Sequence, residues 1–234
     1  MVNRVLNPNL RILLSAVEKL APLLDRIAIV GGCATGLLIT DPAAAPIRPT
    51  LDIDAIVELA SYADLIAFEQ QLRGLGFQSL VEPGAPVCRW KHQDTILDLM
   101  PTDPTILGFS NRWYRPALLN AEEVQLGNYR IQVIAASYFL ATKLEAFHGR
   151  GRGDYRLSRD IEDIVAVLDG RPEISTEVQK SDPPLRTYLG DEFSTLLAAR
   201  DFLEALPGHL LPDAPSQQRI FIVIERIRKI AGDE

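Results

Sequence analysis

A chain of 234 residues with 47% hydrophobic and 24% charged residues can bury a sizeable core, as one large domain or as a core with a modest second lobe. Its formal net charge of −7 excludes a general nucleic-acid coat protein, which needs positive surface to neutralise phosphates, and leaves room only for a local basic groove. Cys33 and Cys88 sit in apolar contexts without metal-ligand spacing, which points to buried reduced thiols rather than a disulfide or a zinc site.

The first twenty residues carry Arg4, Arg11 and Glu18 and lack the apolar block and small-residue cleavage site of a secretory leader. The longest apolar stretch, residues 27–39, is interrupted by Gly31, Gly32 and Gly36 and is too short to span a bilayer. The expectation is a cytoplasmic protein with no membrane partner.

In chain order, Leu10, Leu13, Leu14, Val17 and Leu20 recur at helical spacing and predict an amphipathic helix over 9–24. "RIAIV" reads as a short buried strand, broken by Gly31 and Gly32 before "CATGLLIT" resumes as a helix. Three prolines in "DPAAAPIRP" permit only a loop. "TLDIDAIVEL" then predicts a strand, and "SYADLIAFEQQLRGLG" a helix with Ser61 as N-cap and a stop at Gly74 or Gly76. "FQSLV", "VCRWKH" and "TILDLMP" are strand candidates separated by Pro-Gly and Gln-Asp turns, and "EEVQLG" and "YRIQVI" a further pair. Helices are predicted over 136–148, 158–168, 185–206 and 216–230. The expected architecture is α/β of the α+β kind, a small mixed sheet flanked by helices. Its domains are a core over 1–134 and a helical lobe over 135–234 that packs over the active-site cleft.

Side chains alternate along a strand, so Asp52 and Asp54 share one face while Ile53, Ala55 and Val57 point to the other. Carboxylates about 6–7 Å apart repel by roughly 2.5 kcal/mol at an effective dielectric near 20. A buried pair therefore calls for a cation. Asp98, flanked by Leu97 and Leu99, is a third lone carboxylate in a strand otherwise suited to the core, where a solvated sheet face is the ordinary alternative. Three converging aspartates would make an all-oxygen site for Mg²⁺ or Mn²⁺ with room for phosphates. His92, His148 and His209 are scattered and are not needed for it.

Gly31 and Gly32, between a strand and a helix, would let a phosphate approach backbone N–H groups at a helix N-terminus. Arg48 and Thr50, just ahead of the aspartate pair, are further phosphate or metal-shell candidates. Lys143 lies four residues from both Phe139 and Phe147, so its stem follows an apolar flank. Two roles are open to it: a snorkelling lysine or a phosphate-holding cation. Asp160, close behind Ser158, suits helix capping as well as catalysis. Asp163 falls nearly opposite the stripe of Ile161, Ile164, Val165 and Leu168 and is expected to face solvent more than Asp160. Arg150, Arg152, Arg156 and Arg159 crowd a glycine-rich link that suits either a solvated loop or an anion-binding one.

Taken together, "VGG" at 30–32, "RPTLDID" at 48–54, "ILDLMP" at 96–101 and "ATKLEAFHGRGRGDYRLSRDIEDIVAVL" at 141–168 resemble the nucleotidyltransferase superfamily with the polymerase-beta-like core. Within it, the resemblance is to AbiEii or MenA-like toxin nucleotidyltransferases. It implies an enzyme moving a nucleoside monophosphate from an NTP to an acceptor hydroxyl. Asp52, Asp54 and Asp98 would be metal-binding and catalytic; Gly31, Gly32, Arg48, Thr50 and Lys143 would be nucleotide-binding; Lys143 and Asp160 would be catalytic in addition. The implied cofactor is Mg²⁺ or Mn²⁺. The implied partners are a tRNA or other RNA acceptor and an antitoxin protein. AMP transfer to a protein or a small molecule, and a non-catalytic nucleotide-binding module, are the alternatives. Cys33 stands where that family often carries Ser or Thr, and the gap from Gly32 to Asp52 is longer than its common spacing.

Overall fold

A computed structural model of the chain describes residues 7–233, so the charge at Arg4 lies outside the described residues. The chain gathers into two units: a sheet unit of Pro8–Gly36 and Arg48–Ala135, and a helical unit holding Leu37–Ile47 and everything described from Ala136 onward.

In the sheet unit, the leucine stripe forms α1 (Leu10–Lys19), which buries Leu13, Ala16 and Val17. The helix is shorter than its apolar spacing predicts. Pro22 cannot donate a backbone N–H and its ring would clash one turn back, so a single 3₁₀ turn at Ala21–Leu23 replaces the last α-turn. β1 (Ile27–Val30) is buried throughout and passes directly into α2 (Gly31–Leu38), making the two glycines the first turn of the helix itself. β2 (Asp52–Val57) follows the proline loop. α3 (Tyr62–Gly74) starts as expected, with Ser61 Oγ accepting the Asp64 N–H at 3.2 Å.

β3 (Gln78–Ser79) and β4 (Arg89–His92) are shorter than their predicted spans, whereas β5 (Thr95–Pro101) matches "TILDLMP". Pro83, Gly84 and Pro86 prevent pairing over the residues lost between β3 and β4. α4 (Pro104–Leu107) and α5 (Tyr114–Leu119), too short for a periodic signal, were not expected. β6 (Glu122–Leu126) and β7 (Tyr129–Val133) form the expected final pair. The seven strands make one sheet in the order β3-β4-β5-β2-β1-β7-β6. β2 runs parallel to β5 and β1 parallel to β7, while the other neighbours are antiparallel. β1, β2 and β5 thus occupy the interior of the sheet, where apolar alternation is densest.

The helical unit comprises α6 (Ala136–Arg150), α7 (Arg159–Gly170), α8 (Ile174–Lys180), α9 (Pro183–Ala198), α10 (Arg200–Ala205), α11 (Ala214–Gln218) and α12 (Ile220–Ala231). The single helix predicted over 185–206 breaks at Ala199, whose extended backbone (ψ 106°) redirects the chain so that Phe202 and Leu206 are fully buried. No helix-breaking residue marks that point; packing decides it. The proline loop is bound within this unit: the Thr40 and Asp41 N–H groups both donate to the Gly170 carbonyl at 2.9 Å, and Arg219 bridges Asp41 and Asp169 at 2.6 Å each. Among the described residues, no helix is long and apolar enough to cross a membrane.

Candidate active site

The strand registers lay four residues side by side across the middle of the sheet. Arg89 on β4 is opposite Asp98 on β5, Asp98 is opposite Asp54 on β2, and Asp54 is opposite Val30 on β1. Asp52 lies two residues before Asp54, on the same face by strand alternation, and both are half-buried while Ile53 and Ala55 are buried. The trio expected from the sequence therefore converges.

The cation demanded by that convergence is Arg89, which the sequence reading did not single out. Its guanidinium grips Asp98 with two hydrogen bonds, Nε to Oδ1 at 2.7 Å and Nη2 to Oδ2 at 2.6 Å, and Nη2 also reaches Asp52 Oδ2 at 2.8 Å. This is the bidentate fork that Arg makes and Lys cannot. The hydrogen bond to Asp98 holds the Arg89 pKa above the ordinary arginine value against the opposing effect of burial, so the group stays charged. Asp52 Oδ1 accepts from Thr50 Oγ1 at 2.8 Å. Arg89 was within reach of a sequence argument. The two-residue turn at Gln93-Asp94 sets His92 opposite Thr95 and hence Arg89 opposite Asp98.

Gly31 and Gly32 close the other side of the site. Gly31 has φ +63°, and a Cβ there would lie 1.9 Å from Asp54 Oδ2; only glycine lets that carboxylate rest against the start of α2. A Cβ on Gly32 would lie 3.1 Å from Arg48 Nη2 and 3.5 Å from Thr50 Oγ1, so Arg48 and Thr50 border the same turn. A second residue that the sequence reading passed over, Asn9, holds these pieces in place. Although it precedes α1, its side chain makes no helix cap. Instead, Asn9 Oδ1 accepts the Thr50 N–H at 2.8 Å, and its Nδ2 donates to the Arg48 carbonyl at 3.1 Å and to the Gly32 carbonyl at 3.4 Å. Nothing local marks Asn9 for this role, because its partners are 23 to 41 residues away.

Neither thiol is a nucleophile here. Cys33 is buried and its Sγ donates to the Asp52 carbonyl at 3.3 Å. Burial pushes the Cys88 thiol up to about 12, with the nearby carboxylate of Asp98 adding to the effect, so it is protonated at neutral pH.

Lys143 and Asp160 belong to the helical unit and meet each other there. Lys143 Nζ, on α6, donates to Asp163 Oδ2 at 2.6 Å and to Asp160 Oδ1 at 3.3 Å, both on α7. Arg150 clasps Asp160 through Nε at 2.8 Å and Nη2 at 2.7 Å. Two cations thus neutralise two carboxylates. The expectation that Asp163 faces solvent more than Asp160 is corrected: the residues are 2% and 3% exposed. α7 is covered on more than its apolar stripe, and the Lys143 ammonium makes burial of the far-side carboxylate affordable. In the basic loop, Arg150, Arg152, Arg156 and Arg159 are all exposed, but Arg150 is spent on Asp160 and Arg156 lies 3.4 Å from Glu204.

The oxygens of the trio are the right donor type for Mg²⁺ or Mn²⁺. Their arrangement does not fit one. Both oxygens of Asp98 and one of Asp52 are turned to Arg89, the other Asp52 oxygen is turned to Thr50, and among the described residues no group of three or more His, Cys, Asp or Glu is disposed to hold a metal ion.

No family model and no curated protein matches the chain. Among solved structures, it is similar to the crystal structure of an antigenic nucleotidyltransferase-like protein from Paracoccidioides brasiliensis, at 19% sequence identity over 85% of this chain and 91% of that one, with a TM-score of 0.53. At this identity the likeness concerns the fold. The fold class is nucleotidyltransferase-like, a mixed α/β arrangement with a seven-stranded sheet flanked by helices, in agreement with the sequence-based expectation.

Proposed function

We propose that the chain is a nucleotidyltransferase that moves a nucleoside monophosphate from an NTP to an acceptor hydroxyl. The observation carrying this reading is the packing of Asp54 against Gly31, with Asp98 alongside, at the head of α2. A carboxylate row beside helix-terminal amides is suited to hold a hydroxyl and a polyphosphate at adjacent positions. In the reaction, the acceptor oxygen bonds to the α-phosphorus as the bond from that phosphorus to the pyrophosphate oxygen breaks. The acceptor's proton passes to a carboxylate of the trio. The amides of Gly31 and Gly32, with Arg48 and Thr50, hold the triphosphate and stabilise charge moving onto pyrophosphate.

Mg²⁺ or Mn²⁺, the cofactor that the resemblance implies, stays part of the proposal only as charge that would accompany the triphosphate, since the Asp52 and Asp98 oxygens are taken by Arg89 and Thr50. Arg89 offsets one of three carboxylate charges, and a polyanion brought beside them needs more positive charge than that. Lys143 and Asp160, which the resemblance implies as further contributors, are engaged with each other and with Asp163 within the helical unit, and no role in the transfer is assigned to them. Following the resemblance to AbiEii or MenA-like toxins, we take a tRNA 3′ end as the acceptor and an antitoxin as the protein partner. Protein and small-molecule acceptors are the competing outcomes.

The closure of Asp52 and Asp98 on Arg89 favours a second reading, a nucleotide-binding module without catalysis. Purified protein is incubated with α-labelled NTPs and total RNA or total protein, with and without Mg²⁺, beside Asp54→Ala. Labelled RNA that disappears in Asp54→Ala supports the leading reading. Labelling that survives the substitution removes the site assignment. Nucleotide binding with no labelled RNA, protein or small molecule supports the module.

A further inference from the structure

Within the sheet unit, three stretches of chain that border the glycine turn meet on one amide. Asn9 is 1% exposed at the head of α1, and instead of capping that helix its Oδ1 accepts the Thr50 N–H while its Nδ2 donates to the Arg48 and Gly32 carbonyls. A peptide unit is planar and trans, so a carbonyl held in one direction fixes the N–H of the next residue in the opposite one. The bond to the Gly32 carbonyl thereby orients the Cys33 N–H, an amide of the first turn of α2 of the kind that binds anions at helix N-termini. The bond from Thr50 fixes the residue whose hydroxyl donates to Asp52 Oδ1 at 2.8 Å, and Asp52 Oδ2 in turn meets Arg89. A hydrogen-bonded line therefore runs from Asn9 through Thr50, Asp52 and Arg89 to Asp98. Only an amide serves as donor and acceptor in this way; a carboxylate accepts alone and would turn a charged oxygen toward two carbonyls.

We propose that Asn9 is a positioning residue for the triphosphate. Sealed from solvent, it acts through backbone groups and not by contact with nucleotide: it fixes the Cys33 amide and the Arg48 to Thr50 segment relative to each other. Asn9 thereby governs affinity for NTP by preorganisation. The inference rests on the reading of the glycine turn as the triphosphate cradle, and gives a task there to a residue 23 positions away in sequence.

The test is equilibrium binding of fluorescent methylanthraniloyl-labelled NTPs to the full chain, Asn9→Asp, Asn9→Ala and Leu13→Ala, with a thermal melt of each. Asn9→Asp keeps the acceptor and loses the donor; Asn9→Ala loses both. Leu13 is fully buried one turn further along α1, so Leu13→Ala loosens the same helix by a cavity and leaves the amide in place. Well below every melting temperature, the two Asn9 variants are expected to bind NTP about three- to thirtyfold more weakly than the unsubstituted chain, and Leu13→Ala as tightly as that chain. In transfer assays the loss falls on KM for NTP rather than on kcat. A merely structural Asn9 would move the melting temperature and leave affinity alone. Unchanged affinity in the folded Asn9 variants overturns the proposal, as does an equal loss in Leu13→Ala. If one Asn9 variant does not fold, the other decides. Absence of NTP binding by the unsubstituted chain removes the reading of the turn and the positioning role with it; NTP binding untouched by the Asn9 substitutions keeps the reading and removes the role.

Discussion

At Gly31, two demands that are each unusual fall on one residue: a backbone in the left-handed region at φ +63° and a Cα surface occupied by the Asp54 carboxylate. A side chain there suffers on both counts. The left-handed conformation alone costs a non-glycine residue roughly 1–2 kcal/mol, and the methyl of alanine also displaces Asp54. Gly31→Ala is therefore expected to lower stability by at least about that amount and nucleotidyl transfer by about a hundredfold or more, read by thermal unfolding and label incorporation. Gly32→Ala makes the informative contrast. Its nearest obstacle is the end of the Arg48 side chain at 3.1 Å, which can shift, so stability should change little while the apparent affinity for NTP falls. Equal damage from both substitutions would sink the special role given to Gly31.

Between elements, α6 and α7 are fastened by Lys143, Asp160, Asp163 and Arg150. With Lys143 and both aspartates nearly sealed from solvent, the ammonium is what keeps two carboxylates compatible with burial. Lys143→Met retains the apolar stem and removes the charge, and is expected to cost roughly 3–5 kcal/mol, the range for orphaning one partner of a buried pair. Lys143→Arg keeps the charge and is expected to recover part of that loss, read by thermal unfolding. Periodicity could not reach this network. It identified the apolar stripe of α7, but Asp163 is buried because a lysine from another helix comes to meet it, a fact of packing rather than of helical angle.

For the whole molecule, two buried aspartates pull the response to acid in opposite directions. Burial alone would raise Asp160, yet the Arg150 hydrogen bonds and the Lys143 charge outweigh it and hold its pKa below the usual carboxylate value. Folding then favours the ionised form. Its stabilising share is complete above the unfolded pKa near 4 and is lost as pH falls through the lower folded value. Asp169 has the opposite sign: burial raises its pKa in spite of Arg219, so folding favours its protonated form and its share grows as pH drops. Melting curves of the full chain and Asp160→Asn should thus differ most near neutrality and converge in strong acid. A gap that persists at about pH 2 would show that Asp160 acts through packing and not through its charge.

Much of the sheet unit was present in the amino-acid sequence, because strand alternation and turn chemistry are local. The apolar runs located β1, β2 and β5, the period of two put Asp52 and Asp54 on one face, and the Gln93-Asp94 turn contained the register that sets Arg89 against Asp98. Several features arise only where distant segments pack together. These include the identity of the cation between Asp52 and Asp98, the bracing of the glycine turn by Asn9, the break at Ala199 and the burial of Asp163. Alternation and helical spacing are properties of neighbouring residues and can be read along a chain. Which charge answers which, across tens of residues, depends on desolvation and approach in three dimensions, and that was decided by the tertiary structure.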